Sequence, residues 1–177
     1  MKTRNEQTEA CLLASTIALG VILADTGGEL LEFYPCIGRM TVEFHGCYGG
    51  GDIIGIDLYT PGADTRPVHP DIVTVLMDEV VPGPEGGSIT IGKWIDDITF
   101  GLLNHRHPGW TESDGSCGEI ELAWTTGDDG QLRLTIGGTF ECREMVGTEH
   151  PFWSDDDITW PTGDAASSGK ELAHAGC

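Results

Sequence analysis

Apolar and polar residues alternate in four segments of this chain, and the alternation predicts strands. In residues 39–44, 54–58, 119–124 and 132–136, every second side chain is apolar. This spacing is typical of strands that bury one face. Residues 127–130 read Gly-Asp-Asp-Gly, which is ordinary turn chemistry, so the last two segments are predicted to form a β-hairpin.

Glycines separate these segments from their neighbours. Gly46 and residues 49–51 lie between the first two strands, where they predict a wide turn or a bulge. A phosphate-binding loop is not expected there, because such loops need a helix directly behind the glycines and usually a lysine. Gly137 and Gly138 are predicted to turn the chain into a further strand over residues 139–145.

Two other segments have helical spacing. Residues 5–24 contain no proline and carry apolar side chains on nearly every side, which predicts a helix largely covered by other elements. Thr90 is a suitable N-cap, and apolar side chains follow it at helical spacing as far as Leu102. A Pro-Gly pair a few residues later is predicted to end that helix. Residues 71–81 fit either a short strand or a helix.

These elements predict a single α+β domain over residues 1–161. We expect an antiparallel sheet of four to five strands with two main helices packed on one face. A length of 177 residues agrees with one domain. Residues 162–177 are rich in Gly, Ala and Ser, and we expect them to form a flexible tail.

Acidic residues far outnumber basic ones. The chain has 29 Asp and Glu residues against 9 Lys and Arg residues, which gives a formal net charge of −20. Nucleic acids and anionic membranes should repel such a chain, because binding to either depends on Lys and Arg. Basic protein surfaces should attract it. Two simpler explanations stay open, namely acidity that only aids solubility and adaptation to a salt-rich habitat.

Six cysteines are scattered along the chain, and the N-terminal apolar segment raises the question of export. Two glutamates precede the apolar run of residues 10–24, whereas a signal peptide has a positive flank there. The run is also shorter than the ~20 residues that span a bilayer. We therefore expect a cytoplasmic protein with reduced thiols, whose first helix lies in the core.

One group of residues is a candidate for chemistry. His105 and His107 lie at the end of the second helix, and Trp110, Asp114 and Cys117 follow them. Histidines two positions apart on a helix do not share a face, and no spacing here matches a zinc motif. Cationic side chains at a helix C-terminus are also favoured by the helix dipole alone. We expect no catalytic residue, metal or cofactor, and an enzyme or metal-binding module centred on these residues is the alternative.

A longer block resembles a known family. Residues 107–120 read His-Pro-Gly-Trp-Thr-Glu-Ser-Asp-Gly-Ser-Cys-Gly-Glu-Ile. They resemble a bacterial family of unknown function whose members carry His-Pro-Gly-Trp-Glu, polar residues, and Gly-x-x-Gly-Glu-Phe before a strand. Residues 42–52 are similar to that family's Val-x-Tyr-Asp-Gly-x-Gly-Asp loop, and the likeness covers roughly residues 39–149. Thr111 and Cys117 depart from the family pattern, in which a Glu and an aromatic residue stand.

Members of the family it resembles are common on plasmids, phages and integrated elements. The resemblance therefore implies a small accessory protein, including one that blocks host defence, and it implies no known activity.

Charge and resemblance together lead to one functional hypothesis. We expect a non-catalytic, acidic interaction protein that occupies the nucleic-acid-binding surface of a basic host protein, as inhibitors of the anti-CRISPR and anti-restriction type do. Such a nucleic-acid mimic would bind neither nucleic acid nor membrane itself. Aromatic anchors among acids suit docking onto a basic surface. The predicted contacts are Glu119, Glu121, Asp128, Asp129, Trp153, Asp155, Asp156 and Asp157.

Overall fold

The structure is a computed structural model that describes residues 4–24, 36–62, 66–112, 115–128, 130–142, 149–151 and 160–161. It has the predicted α+β architecture. In chain order its elements are α1 (Arg4–Ala24), β1 (Arg39–Cys47), β2 (Gly50–Tyr59), α2 (Pro70–Asp78), β3 (Val80–Pro82), β4 (Ser88–Thr90), α3 (Ile91–Arg106), β5 (Ser116–Thr126), β6 (Leu132–Cys142), β7 (Glu149–Pro151) and β8 (Trp160–Pro161). The ambiguous segment of residues 71–81 thus forms most of α2 followed by a short strand.

Four long strands form one antiparallel sheet in the order β2-β1-β5-β6. The short strands β7 and β8 pair with β6, and β3 pairs with β4 in a small separate sheet. The two hairpins are joined because β1 pairs with both β2 and β5. In this register Met40 lies between Leu58 and Leu122, and all three side chains are fully buried.

One face of the sheet carries the core, and α1 packs on that face. The side chains of Val42, Ile120 and Leu134 are buried there. Trp124 of β5 donates a hydrogen bond from its indole N–H to the backbone oxygen of Thr16 in α1, at 3.1 Å. Gly20 makes this approach possible, since a Cβ at that position would lie 2.1 Å from the indole ring.

The helix α3 packs beside α1 and begins where the sequence predicts. The hydroxyl of Thr90 accepts a hydrogen bond from the backbone N–H of Lys93, as an N-cap residue does. The indole N–H of Trp94 donates to the Ser15 hydroxyl of α1 at 2.8 Å. The helix is regular to Arg106 and ends just before Pro108 and Gly109, where the sequence predicts its end.

The glycine-rich segments contain more strand than predicted. A turn does lie within the segment of Gly46 and residues 49–51, but it is the two-residue turn Tyr48-Gly49 of the β1–β2 hairpin and not a wide one. The register does shift within this hairpin, but further along, between Glu43 and Phe44. Similarly, β6 continues through its two glycines from Leu132 to Cys142 instead of turning.

The second of these glycines has a steric role in β6. Gly138 has a φ of +134°, and a Cβ there would lie 2.0 Å from the backbone oxygen of Glu119 on β5. A glycine at this place therefore permits close pairing of two long strands. The same residue type gives a turn elsewhere, and sequence pattern alone does not separate the two roles.

The cysteines and α1 differ partly from expectation. Cys36, Cys47 and Cys117 are free thiols, whereas Cys11 is disulfide-bonded, so the prediction that all six are reduced is wrong for Cys11. Scattered spacing in the sequence does not show which sulfur atoms meet in space.

Within α1, the segment Glu6–Ala24 is long and apolar enough to cross a membrane by length and composition, although Leu19 and Leu23 are buried in the core.

Candidate functional site

Four carboxylates lie together on the face of the sheet opposite the helices. On β1 the even-numbered side chains point into the core, so Glu43 points the other way and is exposed. On β5 the buried Ile120 and Leu122 leave Glu119 and Glu121 on the same outer face. Asp57 joins them from β2 because it pairs with Thr41, a neighbour of Glu121 in the register. We call these four residues, Glu43, Asp57, Glu119 and Glu121, the acidic face.

The register places like charges directly opposite each other. Glu43 of β1 is the cross-strand partner of Glu119 on β5. Like charges in this position destabilise a sheet, whereas most sheets place opposite charges or apolar pairs there. The carboxylate of Glu43 leans toward β2, where it would lie 3.3 Å from a Cβ built on Gly55. The fold therefore accepts a local electrostatic cost at the centre of this face.

Burial and neighbouring carboxylates both act on the ionisation of Glu119. Partial burial raises the pKa of its carboxyl group above the usual value, and the nearby carboxylates of Glu121, Glu43 and Asp57 raise it further. Arg39 acts in the opposite direction but does not reverse the shift.

Two arginines share this face of the sheet, both toward one end. Arg39 pairs with Tyr59 and Ala123 in the register, and Arg133 pairs with Thr125 one row beyond. The guanidinium of Arg39 contacts the carboxylate of Glu121 at 3.4 Å and lies 4.0 Å from the centre of the Tyr59 ring. The cations therefore lie toward one end of this face, where Arg39 is paired with Glu121, and the other carboxylates of the acidic face lie beyond Arg39.

The structure brings together part of the predicted contact set. Glu119 and Glu121 lie side by side on the acidic face, whereas Asp128 is exposed in the turn between β5 and β6. That turn begins eight residues after Glu119, roughly 26 Å along the strand at about 3.3 Å per residue, so Asp128 does not belong to the cluster. The remaining predicted contacts, Asp129, Trp153, Asp155, Asp156 and Asp157, lie outside the described residues.

Sequence reasoning missed two members of the acidic face. Glu43 and Asp57 occupy outward positions of strands that were predicted correctly, so the alternation itself carried the signal. What the sequence did not show was that β1 pairs with β5, a partner more than 70 positions away in the chain. Without that pairing, acids of the two hairpins cannot be assigned to one surface.

The described residues of the alternative site do not come together, and Asp114 lies outside the described residues. Nε2 of His105 lies 3.8 Å from the carboxylate of Glu9 in α1, and the ring of His107 stacks on Phe140 with centroids 3.8 Å apart. Both histidines are therefore on the helix side of the sheet. Cys117 is on the opposite face, where its sulfur lies 3.8 Å from the carboxylate of Glu141. Among the described residues there is no group of three His, Cys, Asp or Glu side chains that could hold a metal ion.

Trp110 explains why the Trp block and the glycine loop occur in the same chain. Its indole ring packs against the β1–β2 hairpin, where a Cβ at Gly46 would lie 2.6 Å and a Cβ at Gly51 would lie 2.0 Å from the ring. The ring stacks on Phe100 and meets the edge of Phe44, each with centroids 5.8 Å apart. Because the Trp110 ring lies this close, positions 46 and 51 of the hairpin must be glycine.

Hydrogen bonds fix this arrangement, which we call the Trp110 lock and define by Trp110, Gly46 and Gly51. The indole N–H donates to the side-chain oxygen of Asn104 at 2.9 Å. The hydroxyl of Ser116 donates to the backbone oxygen of Trp110 at 2.6 Å. The Trp110 lock ties the end of α3 to the hairpin, and this role is structural.

The comparisons with known proteins place the chain in a family. Residues 30–132 match the family of unknown function DUF6878, and the chain belongs to that family. The matched part contains β1, β2, α2, α3, β5 and the Trp110 lock. No curated protein and no solved structure matches the chain.

Proposed function

We propose that this member of the DUF6878 family is a non-catalytic interaction protein whose acidic face binds the nucleic-acid-binding surface of a basic partner protein. It would act as a nucleic-acid mimic, competing with DNA or RNA for that surface. The resemblance of its Trp block to proteins common on plasmids, phages and integrated elements suggests a setting in which the partner is a host defence protein, as for anti-CRISPR and anti-restriction inhibitors.

One observation carries the proposal. Glu119 lies directly opposite Glu43 on β1, and the carboxylates of Glu121 on its own strand and of Asp57 on β2 also act on it, although like charges directly opposite each other oppose folding. A cluster that costs folding free energy on a regular sheet is accounted for if a cationic surface neutralises it in a complex. Spacing between strands of about 4.8 Å and between alternate residues of about 6.6 Å brings such charges to separations comparable with neighbouring phosphates along one nucleic-acid strand.

The residues between these acids have small side chains or none. Gly55 and Gly137 lie on the same face, and a Cβ built on Gly137 would meet no atom of the described residues within 4 Å. Ala123 and Thr139 add only small side chains. A partner surface can therefore approach the sheet without steric obstruction from the side chains in the middle of the face.

The test compares two variants of equal net charge. The face variant carries Glu43→Gln, Glu119→Gln and Glu121→Gln, and removes three charges from the acidic face. The helix-side control removes three exposed charges elsewhere, through Asp71→Asn, Asp78→Asn and Glu85→Gln, all within the α2–β4 region. Because net charge is matched, a difference between them reports the position of the charges and not their sum.

The probe is the DNA-binding protein fraction of the cells that encode this chain, bound to a fluorescent single-stranded DNA oligonucleotide. Fluorescence anisotropy measures how much of each protein displaces half of the bound oligonucleotide. We expect the wild type and the helix-side control to displace the oligonucleotide equally. The face variant should need about tenfold more protein, since three exposed ion pairs contribute about 0.5 kcal/mol each. Displacement by the face variant at the wild-type concentration, or none by the wild type, would contradict the proposal.

A further inference from the structure

The tip of the β1–β2 hairpin presents an aromatic side chain to solvent. Tyr48 and Gly49 are the two central residues of the turn, with φ values of +52° and +80°. Positive φ at both positions is the requirement of a type I′ turn, which Asn, Asp and Gly fill at the least cost. Tyr48 is 91% exposed, the largest exposure among the large apolar side chains that the structure describes.

Folding does not account for a tyrosine at this place. A non-glycine residue other than Asn or Asp in the left-handed region is sterically disfavoured. An aromatic ring that stays in water contributes almost no hydrophobic burial to the folded state. Both effects would favour Asn at position 48, so the residue present is the less stable choice for the turn.

A hydrogen bond and the Trp110 lock hold the backbone of the hairpin tip in place. The backbone N–H of Gly49 donates to the backbone oxygen of Thr111 at 2.7 Å. Beneath it, the Trp110 lock fixes both strands of the hairpin at Gly46 and Gly51. The backbone that carries Tyr48 therefore has few alternatives before binding, which lowers the entropy cost of using its ring in a contact.

Tyr48 lies at the margin of the acidic face. It follows Glu43 by five positions on the same hairpin, which is about 16 Å of strand. Asp52, paired with His45, lies between them on the outer face and is exposed. A protein interface of ordinary size, about 800 Å² on each side, has a radius of about 16 Å, so one partner can cover the ring and the carboxylates together.

We propose that Tyr48 is an aromatic anchor that enters the base-binding pocket of the same partner whose cationic surface contacts the acidic face. This inference rests on the proposed function and names the kind of partner. Proteins that bind single-stranded nucleic acid place aromatic platforms for bases beside cations for phosphates. The tyrosine ring takes the place of a base, and the carboxylates take the place of phosphates.

Two variants test the anchor. Tyr48→Asn removes the ring and suits the turn, so the protein stays folded. Tyr48→Phe keeps the ring and removes only the hydroxyl. Each is assayed by displacement of a fluorescent single-stranded oligonucleotide from the same DNA-binding fraction. We expect Tyr48→Asn to displace about thirtyfold less well, the effect of removing a hot-spot aromatic residue, and Tyr48→Phe to stay within about threefold of wild type.

The outcomes separate the anchor from the acidic face. If Tyr48→Asn displaces as well as wild type while the face variant fails, the anchor is wrong and the proposed function stands. If Tyr48→Asn fails while the face variant acts like wild type, the anchor stands and the acidic face is wrong. Equal displacement by all proteins, or none by the wild type, overturns both. Circular dichroism melting of every variant shows that each loss comes from a folded protein.

Discussion

Replacing Trp110 should destabilise the fold strongly, because its ring connects three parts of the molecule. The side chain is 6% exposed and contacts Phe44, Phe100 and the hairpin glycines. Truncating a buried tryptophan to alanine costs about 3–5 kcal/mol. A domain of this size has a free energy of unfolding of about 5–15 kcal/mol, so Trp110→Ala should remove a large part of it.

Trp110→Phe gives a graded measurement. It keeps an aromatic ring against Phe44 and Phe100 but loses the hydrogen bond to Asn104, which is exposed and can bind water instead. We expect a loss of about 1–2 kcal/mol, of which about 1 kcal/mol should also appear in Asn104→Ala. Urea unfolding followed by circular dichroism measures all three variants.

A loss below about 1 kcal/mol for Trp110→Ala would refute the Trp110 lock, since surface substitutions alone give such values. A second contradictory result would be Trp110→Phe that unfolds like wild type but no longer displaces nucleic acid. Trp110 would then contact the partner directly, and the Trp block would be functional.

Three further predictions follow from local geometry. Gly51→Ala should cost about 1–3 kcal/mol in urea unfolding, because its Cβ would overlap the Trp110 ring, and a neutral result would mean that the ring can move aside. Tyr48→Asn should raise stability by about 0.5–1 kcal/mol in the same assay, whereas a loss would mean that the exposed ring stabilises the fold. Glu119→Gln should stabilise the protein at neutral pH by about 0.5 kcal/mol at most, after solvent screening. Because the pKa of Glu119 is raised in the folded state, its carboxylate costs stability at neutral pH, and that cost disappears as pH falls through the folded pKa. Wild type and Glu119→Gln should therefore unfold alike in acid, and an unchanged difference at low pH would contradict a raised pKa of Glu119 in the folded state.

The sequence predicted those elements whose pattern is local. The start of α3 could be placed because Thr90 is a capping residue and apolar side chains follow at regular helical spacing. The strands could be found because burial of one face imposes alternation on their residues. The outward direction of Glu119 and Glu121 follows from the same alternation, and the structure agrees.

Features that depend on distant pairing could not be predicted. The glycines of the first hairpin and of β6 suggested turns, but Gly46, Gly51 and Gly138 are small because other parts of the chain approach them closely. The contact partner in each case lies many positions away in the sequence or on another strand. The acidic face required the pairing of β1 with β5, which no local pattern encodes.

The most direct test of the central claim compares the face variant with the helix-side control. The measured quantity is the concentration of each protein that displaces half of a single-stranded DNA oligonucleotide from the DNA-binding fraction. The account predicts that the control acts within about twofold of wild type and that the face variant is about tenfold weaker, with the gap narrowing as salt screens the charges. Equal loss in both variants would show that only total charge matters, and it would contradict a binding surface on the acidic face.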